Sequence, residues 1–132
     1  DLHSFPTRRS SDLRFYIVDD VVKFVKREIR RGHKYDIIIM DPPTFGRGDN
    51  GEVWDIEKDL YELLLLCNEL LSDKPLLMLV NSYSGLSPCI LENLLQLTNS
   101  RHGKITCDEI GLPIKKNDLI LPCGIFGRID YE

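Results

Sequence analysis

The chain has 132 residues, of which 42% are hydrophobic and 29% are charged, and its 17 Lys and Arg against 21 Asp and Glu give a formal net charge of −4. A chain of this length buries one modest core, which argues against two full domains. The acidic balance argues against a basic nucleic-acid coat as the whole function, and no apolar run approaches the roughly 18 residues of a membrane span.

The first thirteen residues differ in composition from the rest of the chain. They are rich in Ser, Thr, Arg and Pro without any period, which predicts disorder. The stretch from His3 to Leu13 resembles, codon for codon, the translation of a common short-read sequencing adapter. We therefore expect residues 1–13 to be an assembly artefact, natural sequence to begin near Arg14, and the upstream part of the gene to be missing.

Residues 15–51 predict a strand, a helix, a second strand and a loop. Residues 15–18 form a short β-branched and aromatic run, and residues 19–31 have the apolar spacing of a helix that Gly32 closes. Residues 35–40 are a continuous apolar run, typical of a strand that is buried on both faces. Residues 46–51 are polar and rich in glycine, which predicts a loop.

The second half of the chain continues this alternation and closes with two strands. Residues 57–71 have the leucine spacing of a helix packed on a sheet, and residues 76–80 predict another buried strand. Ser87 followed by Pro88 predicts the start of a further helix. Residues 104–129, with a turn near 115–118, predict an antiparallel pair. The order of the predicted strands and helices along the chain indicates an α/β fold with a mainly parallel, doubly wound sheet and an antiparallel last strand.

Cysteine and histidine spacing gives no metal motif. The four cysteines form no CxxC pair, and their mostly apolar neighbours predict buried free thiols of a reducing cytoplasm; they are Cys67, Cys89, Cys107 and Cys123. His33 and His102 stand alone near predicted turns, so we assign them no role. We therefore expect a cytoplasmic protein with no membrane partner and no metal ligands.

Polar residues follow three of the predicted strands, at residues 19–20, 41–45 and 81–85. Ligands of such sheets bind outside the carboxyl ends of the strands. The buried strand delivers Asp41 to this edge, and the two prolines after it remove two N–H donors and leave a turn that presents carbonyl oxygens. Such a site accepts hydrogen bonds from an amine, such as that of a nucleobase, and Phe45 lies close enough to stack on a planar ring.

Other interpretations of the same residues stay open. Asp-Pro-Pro is also compatible with a rigid turn after a strand, with Phe45 as a core plug. The metal-binding strand of a P-loop hydrolase is excluded, because the chain has no GxxxxGK[ST] motif. Asp19, Asp20 and Asp41 mimic the acidic set of a phosphorelay receiver domain, although such a domain needs one more strand and helix between them.

Four segments of the chain resemble the class I S-adenosylmethionine-dependent methyltransferases, and among them the large-subunit (23S) ribosomal RNA methyltransferase group. They are IVDDVVKFV at 17–25, YDIIIMDPPTFGRG at 35–48, LMLVNSYSG at 77–85 and LPCGIFGR at 121–128. The second is the most specific, because the fourth motif of this family is a buried strand that ends in Asp-Pro-Pro. The resemblance implies the C-terminal portion of a Rossmann-like class I methyltransferase fold, with residues 14–132 as a truncated methyltransferase domain.

The resemblance also implies site residues. Asp20 is expected to accept a hydrogen bond from the adenine amino group of S-adenosylmethionine, and Val21 to offer its backbone N–H. Asp41 is expected to contact both the cofactor and the substrate. The residues expected to line the space between the methyl donor and the target base are Asp41, Pro42, Pro43 and Phe45. The implied reaction is methylation of a base of ribosomal RNA at a nitrogen.

The chain departs from this family in two respects. The glycine-rich first motif and the acidic second motif belong before Arg14, where the chain does not contain them. Tyr83 stands where cytosine-C5 enzymes of the group carry a nucleophilic cysteine, which argues against that chemistry, and Cys89 is expected in the core. Trp54 is expected to pack the loop against the next helix. The alternatives are a catalytically inactive truncated fragment and a receiver-like signalling module.

Overall fold

The computed structural model describes residues 20–47, 51, 53–83 and 85–132. The expected artefact at 1–13 and the predicted strand at 15–18 lie outside the described residues, as does Asp19. The helices and strands are α1 (Val21–Arg30), β1 (Ile37–Met40), β2 (Phe45–Arg47), β3 (Val53–Asp55), α2 (Ile56–Glu69), β4 (Leu77–Ser82), α3 (Pro88–Thr98), β5 (Gly103–Pro113) and β6 (Ile120–Tyr131).

Four of the strands form one mixed sheet in the order β1-β4-β6-β5. β1 and β4 are parallel, with Met40 beside Val80, and α2 lies in the connection between them. Parallel neighbours need such a crossover, because a tight turn cannot return the chain in the same direction. β6 is antiparallel to both β4 and β5. The predicted α/β fold with an antiparallel last strand is therefore confirmed.

Helix α1 begins and ends where local chemistry dictates. The Asp20 side chain caps its start, because Oδ1 accepts a hydrogen bond of 3.1 Å from the Lys23 N–H. At its end Gly32 has a φ of +72°, and His33 and Gly32 donate their N–H groups to the carbonyls of Glu28 and Ile29. This pair of bonds is a Schellman motif, which confirms the glycine stop that the sequence predicted.

The other two helices start at capping side chains and supply most of the core. Asp55 caps α2, and Ser87 caps α3 through a 3.3 Å bond from the Ile90 N–H, with Pro88 in the first turn as predicted. The fully buried helix side chains are Ile56, Leu60, Leu63, Leu64, Leu91 and Leu95. They pack with the buried face of the sheet, to which Met78, Val80 and Ile129 contribute. None of the helices in the described ranges is long and apolar enough to cross a membrane.

Strand β1 is not buried on both faces, contrary to the prediction. Ile37 is 48% exposed and Ile39 is 63% exposed, whereas the alternate residues Ile38 and Met40 are half-buried against the core. Side chains alternate between the two faces of a strand, so the exposed pair shares one face. Within the described part of the chain, helices bury the opposite face of the sheet, which leaves these two isoleucines in contact with solvent.

The cysteines are free thiols, as predicted, but they are not all buried. Cys67 on α2 is buried, which raises the pKa of its thiol to about 12. Cys107 and Cys123 are half-buried, and Cys89 is exposed. The expectation that Cys89 lies in the core is therefore wrong. It stands two positions before the buried Leu91, a spacing that puts the two side chains on opposite sides of a helix.

A buried carboxylate joins α1 to the segment that leads into β1. The Glu28 carboxylate accepts hydrogen bonds from the Tyr35 hydroxyl and from His33 Nδ1, the latter at 3.1 Å, and Arg31 Nη1 lies 3.9 Å from it. His33 therefore does not stand alone, contrary to the prediction. The bond from Tyr35, followed by that from His33, lowers the pKa of Glu28, and the same contact raises the pKa of Tyr35.

These shifts predict a pH dependence of stability. A carboxylate whose pKa is lowered by folding stabilises the chain above its ordinary pKa of about 4.5, and that contribution is lost as the pH falls through the lowered value. We expect the urea midpoint of the wild-type chain to fall on acidification from pH 7 to pH 3 more steeply than that of Glu28→Gln. Tyr35→Phe, which removes the principal donor, is expected to reduce the slope in the same direction. Equal slopes in all three proteins would contradict the assignment.

Candidate functional site

The carboxyl ends of β1 and β4 leave the sheet side by side. Because Met40 pairs with Val80 in parallel register, the segments that begin at Asp41 and Asn81 emerge at the same edge. They also touch: a Cβ placed on Gly85 would lie 3.1 Å from the Cγ2 atoms of both Thr44 and Ile56. Gly85 has a φ of +91°, so a residue without a side chain fits this contact. The structure thus brings the predicted segments 41–45 and 81–85 together.

The loop after β1 is tied to the elements that follow it. Pro42 and Pro43 have no N–H to donate, so its bonds are made through carbonyls. The Pro43 carbonyl accepts a 2.7 Å hydrogen bond from Nε1 of Trp54, and the Thr44 carbonyl accepts a 3.0 Å bond from the Ile56 N–H. The predicted turn with outward carbonyls is therefore only partly right, because the Pro43 oxygen is already bonded to the protein.

A short hairpin occupies the place where the sequence predicted a polar loop. β2 pairs with β3 in antiparallel register, with Phe45 opposite Asp55 and Gly46 opposite Trp54. Asp55 then caps α2 by accepting from the Glu57 N–H, so the hairpin runs directly into that helix. Sequence reasoning missed this hairpin because each strand has only three residues and one of the three is charged, Arg47 in β2 and Asp55 in β3.

The aromatic residues at this edge differ in their environments. Phe45 is 55% exposed, and the guanidinium carbon of Arg47 lies 6.0 Å from the centroid of its ring. Phe45 is therefore not a core plug. Tyr83 is 80% exposed on the neighbouring segment. Trp54 is half-buried and packs against the core, so the expected packing role of this residue is confirmed.

The two acidic site residues are both exposed. Asp41 follows the end of β1 and is exposed, whereas the sequence predicted a low-dielectric rim at this place. Asp20 caps α1, and Val21, which follows it, is half-exposed. Asp20 and Val21 lie at the start of α1, outside the contact that Thr44, Ile56 and Gly85 form.

The described residues form a groove but no metal site. Among residues 20–47, 51, 53–83 and 85–132, no group of three or more His, Cys, Asp or Glu side chains is arranged to hold a metal ion. A shallow groove lies where α2 and α3 end, lined by Leu65, Leu66, Asn68, Glu69, Thr98 and Ser100. Since those helix ends lie near the beginning of β4, this groove is at the opposite edge of the sheet from Asp41.

Two solved structures have a similar fold. The chain matches the crystal structure of a SAM-dependent methyltransferase from Agrobacterium tumefaciens with a TM-score of 0.79 and 35% identity over 86% of its length. It matches that of SMU.776, assigned as a methyltransferase and complexed with SAH, with a TM-score of 0.63 and 25% identity over 85% of its length. The chain has a partial methyltransferase fold. It spans 38% and 30%, respectively, of these two proteins. No protein-family model and no curated protein matches the sequence.

The methyltransferase fold explains why the resembling segments are scattered along the chain. Of the four segments, two contain β1 and β4 and a third lies within β6, and these three strands are neighbours in the sheet. Residues far apart in sequence therefore converge on one region of the methyltransferase fold. The comparisons do not favour a receiver domain.

Proposed function

We propose that this chain belongs to an S-adenosylmethionine-dependent methyltransferase that methylates a nitrogen of a base in ribosomal RNA. Residues 14–132 would form part of its methyltransferase domain, in the cytoplasm. The observation that carries the proposal is the loop from Asp41 to Phe45, with an exposed carboxylate and an exposed aromatic ring, at the carboxyl edge of a sheet that matches methyltransferases.

The residues at the start of α1 fit the adenine of the cofactor. The Asp20 carboxylate is exposed and accepts hydrogen bonds, and Val21 is the first residue of a helix, whose N–H is not used within the helix. An acceptor beside a donor matches the amino group and a ring nitrogen of adenine. S-adenosylmethionine supplies an activated methyl group when it is bound. The work of the protein is therefore mainly to align the target nitrogen.

The loop after β1 fits the target base. Asp41 and the Pro42 carbonyl are the acceptors that we assign to an exocyclic amine, and the carboxylate offsets positive charge that develops on that nitrogen as the new bond forms. The exposed ring of Phe45 offers a face on which a base can stack. A base must leave its own stack to reach such a pocket, which is easiest in single-stranded RNA. Exposed Arg47 beside the ring is suited to the adjoining phosphate.

Two measurements on the chain test this proposal. Calorimetry with S-adenosylhomocysteine is expected to show binding in the micromolar range, and protein-free ribosomal RNA incubated with the chain and tritiated S-adenosylmethionine is expected to gain label. Digestion of the labelled RNA to nucleosides then identifies the methylated base. Absence of binding would overturn the assignment of Asp20 and Val21 as cofactor-binding residues in this chain and would favour an inactive fragment. Binding of S-adenosylhomocysteine without transfer to RNA would overturn the substrate assignment.

A further inference from the structure

Trp54 makes a contact that the reaction chemistry does not by itself require. It is the single tryptophan of the chain and lies on β3 opposite Gly46. Its indole N–H donates a 2.7 Å hydrogen bond to the Pro43 carbonyl, eleven residues earlier in the chain. The bond joins the hairpin to the loop that carries Asp41.

This bond supplies a restraint that the prolines cannot supply. A proline ring fixes φ but leaves ψ free, so the peptide plane between Pro43 and Thr44 can still rotate. That rotation sets the direction in which the chain continues to Phe45. With the Pro43 carbonyl held by the indole, and the Thr44 carbonyl held by the Ile56 N–H at 3.0 Å, two successive peptide planes are fixed.

The same bond also uses one of the acceptor positions of the Pro43 carbonyl. A backbone carbonyl has two lone pairs, so the Pro43 carbonyl, which already accepts the indole N–H, has one fewer position for an incoming amine. Of the two proline carbonyls, the indole engages that of Pro43. The Pro42 carbonyl is the nearer of the two to Asp41 in the chain, which makes it the better placed acceptor for an amine held by that carboxylate.

We infer that Trp54 is a positioning residue for the target base. Its indole N–H fixes the Pro43 peptide, and so sets the place of the Phe45 ring and leaves Asp41 and Pro42 as the acceptors for the amine. Trp54 touches neither cofactor nor substrate in this role, because it acts through Pro43. The inference rests on the proposed function, since it concerns the substrate of that same site.

Trp54→Phe tests the inference, because it keeps an aromatic ring in the hairpin and removes only the donor and part of the ring. We expect kcat for methyl transfer from S-adenosylmethionine to protein-free ribosomal RNA to fall about ten- to a hundredfold, the order of loss that a small misplacement causes. The Kd for S-adenosylhomocysteine is expected to change less than about twofold, because Trp54 lies on β3, whereas the residues that we assign to the cofactor's adenine lie at the start of α1. The matched control is Tyr61→Phe, an exposed aromatic residue on α2, which is expected to leave kcat unchanged.

A second measurement does not depend on activity or on a variant. Because the chain has one tryptophan, its ¹H–¹⁵N spectrum contains one indole signal. We expect this N–H to exchange with water more slowly than in the urea-unfolded chain. Free exchange would show that the bond to Pro43 is absent and would overturn the inference.

The outcomes separate this inference from the proposed function. A wild-type chain that transfers methyl groups, together with a Trp54→Phe variant of reduced kcat and unchanged cofactor Kd, supports it. Transfer at equal kcat in both proteins overturns the inference and leaves the proposed function intact. Loss of cofactor binding together with a lower Tm in Trp54→Phe overturns it in favour of a structural role. A wild-type chain that binds S-adenosylhomocysteine but transfers nothing to RNA overturns the proposed function, and the inference falls with it.

Discussion

Replacing Asp41 with alanine is expected to lower kcat for methyl transfer to ribosomal RNA about a hundred- to a thousandfold, the loss typical of removing one group that stabilises developing charge. Asp41 carries the one carboxylate of the loop between β1 and β2. It is exposed, so its removal leaves no buried polar group without a partner. We therefore expect the free energy of unfolding to change by no more than about 0.5 kcal/mol. A large loss of rate with little loss of stability indicates a group that contacts the substrate.

Two further variants sharpen this test. Asp41→Asn keeps an oxygen acceptor at the same place but removes the charge, so its kcat is expected to lie between those of the wild type and Asp41→Ala. Asp73→Ala removes an equally exposed carboxylate from the loop between α2 and β4, at the other edge of the sheet, and is expected to leave kcat unchanged. An Asp41→Ala variant with wild-type kcat would remove this residue from the site.

The elements that could be predicted from the sequence are those that local chemistry determines. Ser87 and Pro88 start α3 where expected because a cap and a fixed φ act within one turn of the helix. Gly32 ends α1 for the same kind of reason. The position of Asp41 at the sheet edge also follows from the chain itself, because a continuous apolar run reaches the end of its strand there.

The features that the sequence did not reveal depend on residues distant in the chain. The three-residue strands β2 and β3 are too short to show a period of their own, and only their pairing defines them. The bond from Trp54 to Pro43 exists because that pairing turns the indole back over the loop. Ile39 looks like a core residue in sequence, but its burial is decided by what covers the sheet. Glu28 is buried although charged, because Tyr35 and His33 form hydrogen bonds with its carboxylate.

The largest loss of stability is expected from Ile56→Ala, because Ile56 connects the core to the candidate site. Its side chain is fully buried, its Cγ2 lies against Gly85, and its N–H holds the Thr44 carbonyl. Deleting such a side chain leaves a cavity and costs about 2–5 kcal/mol, a large part of the roughly 5–15 kcal/mol that stabilises a typical domain. Urea unfolding measures this loss. Ile90→Ala on α3, where the side chain is 49% exposed, is the matched control and is expected to cost no more than about 0.5 kcal/mol.

Because the Ile56 cavity would open beneath the contact between Thr44 and Gly85, this variant is also expected to loosen the loop that carries Asp41. At a temperature where Ile56→Ala remains folded, its kcat is therefore expected to be lower than that of the wild type. The control is Leu95→Ala, which removes a fully buried side chain from α3 and is expected to lose stability with little change in kcat. If both core variants reduced kcat equally, the loop would respond to global stability and not to its support by Ile56. A fall confined to Ile56→Ala would show that the packing of α2 against the loop holds the site in its working geometry.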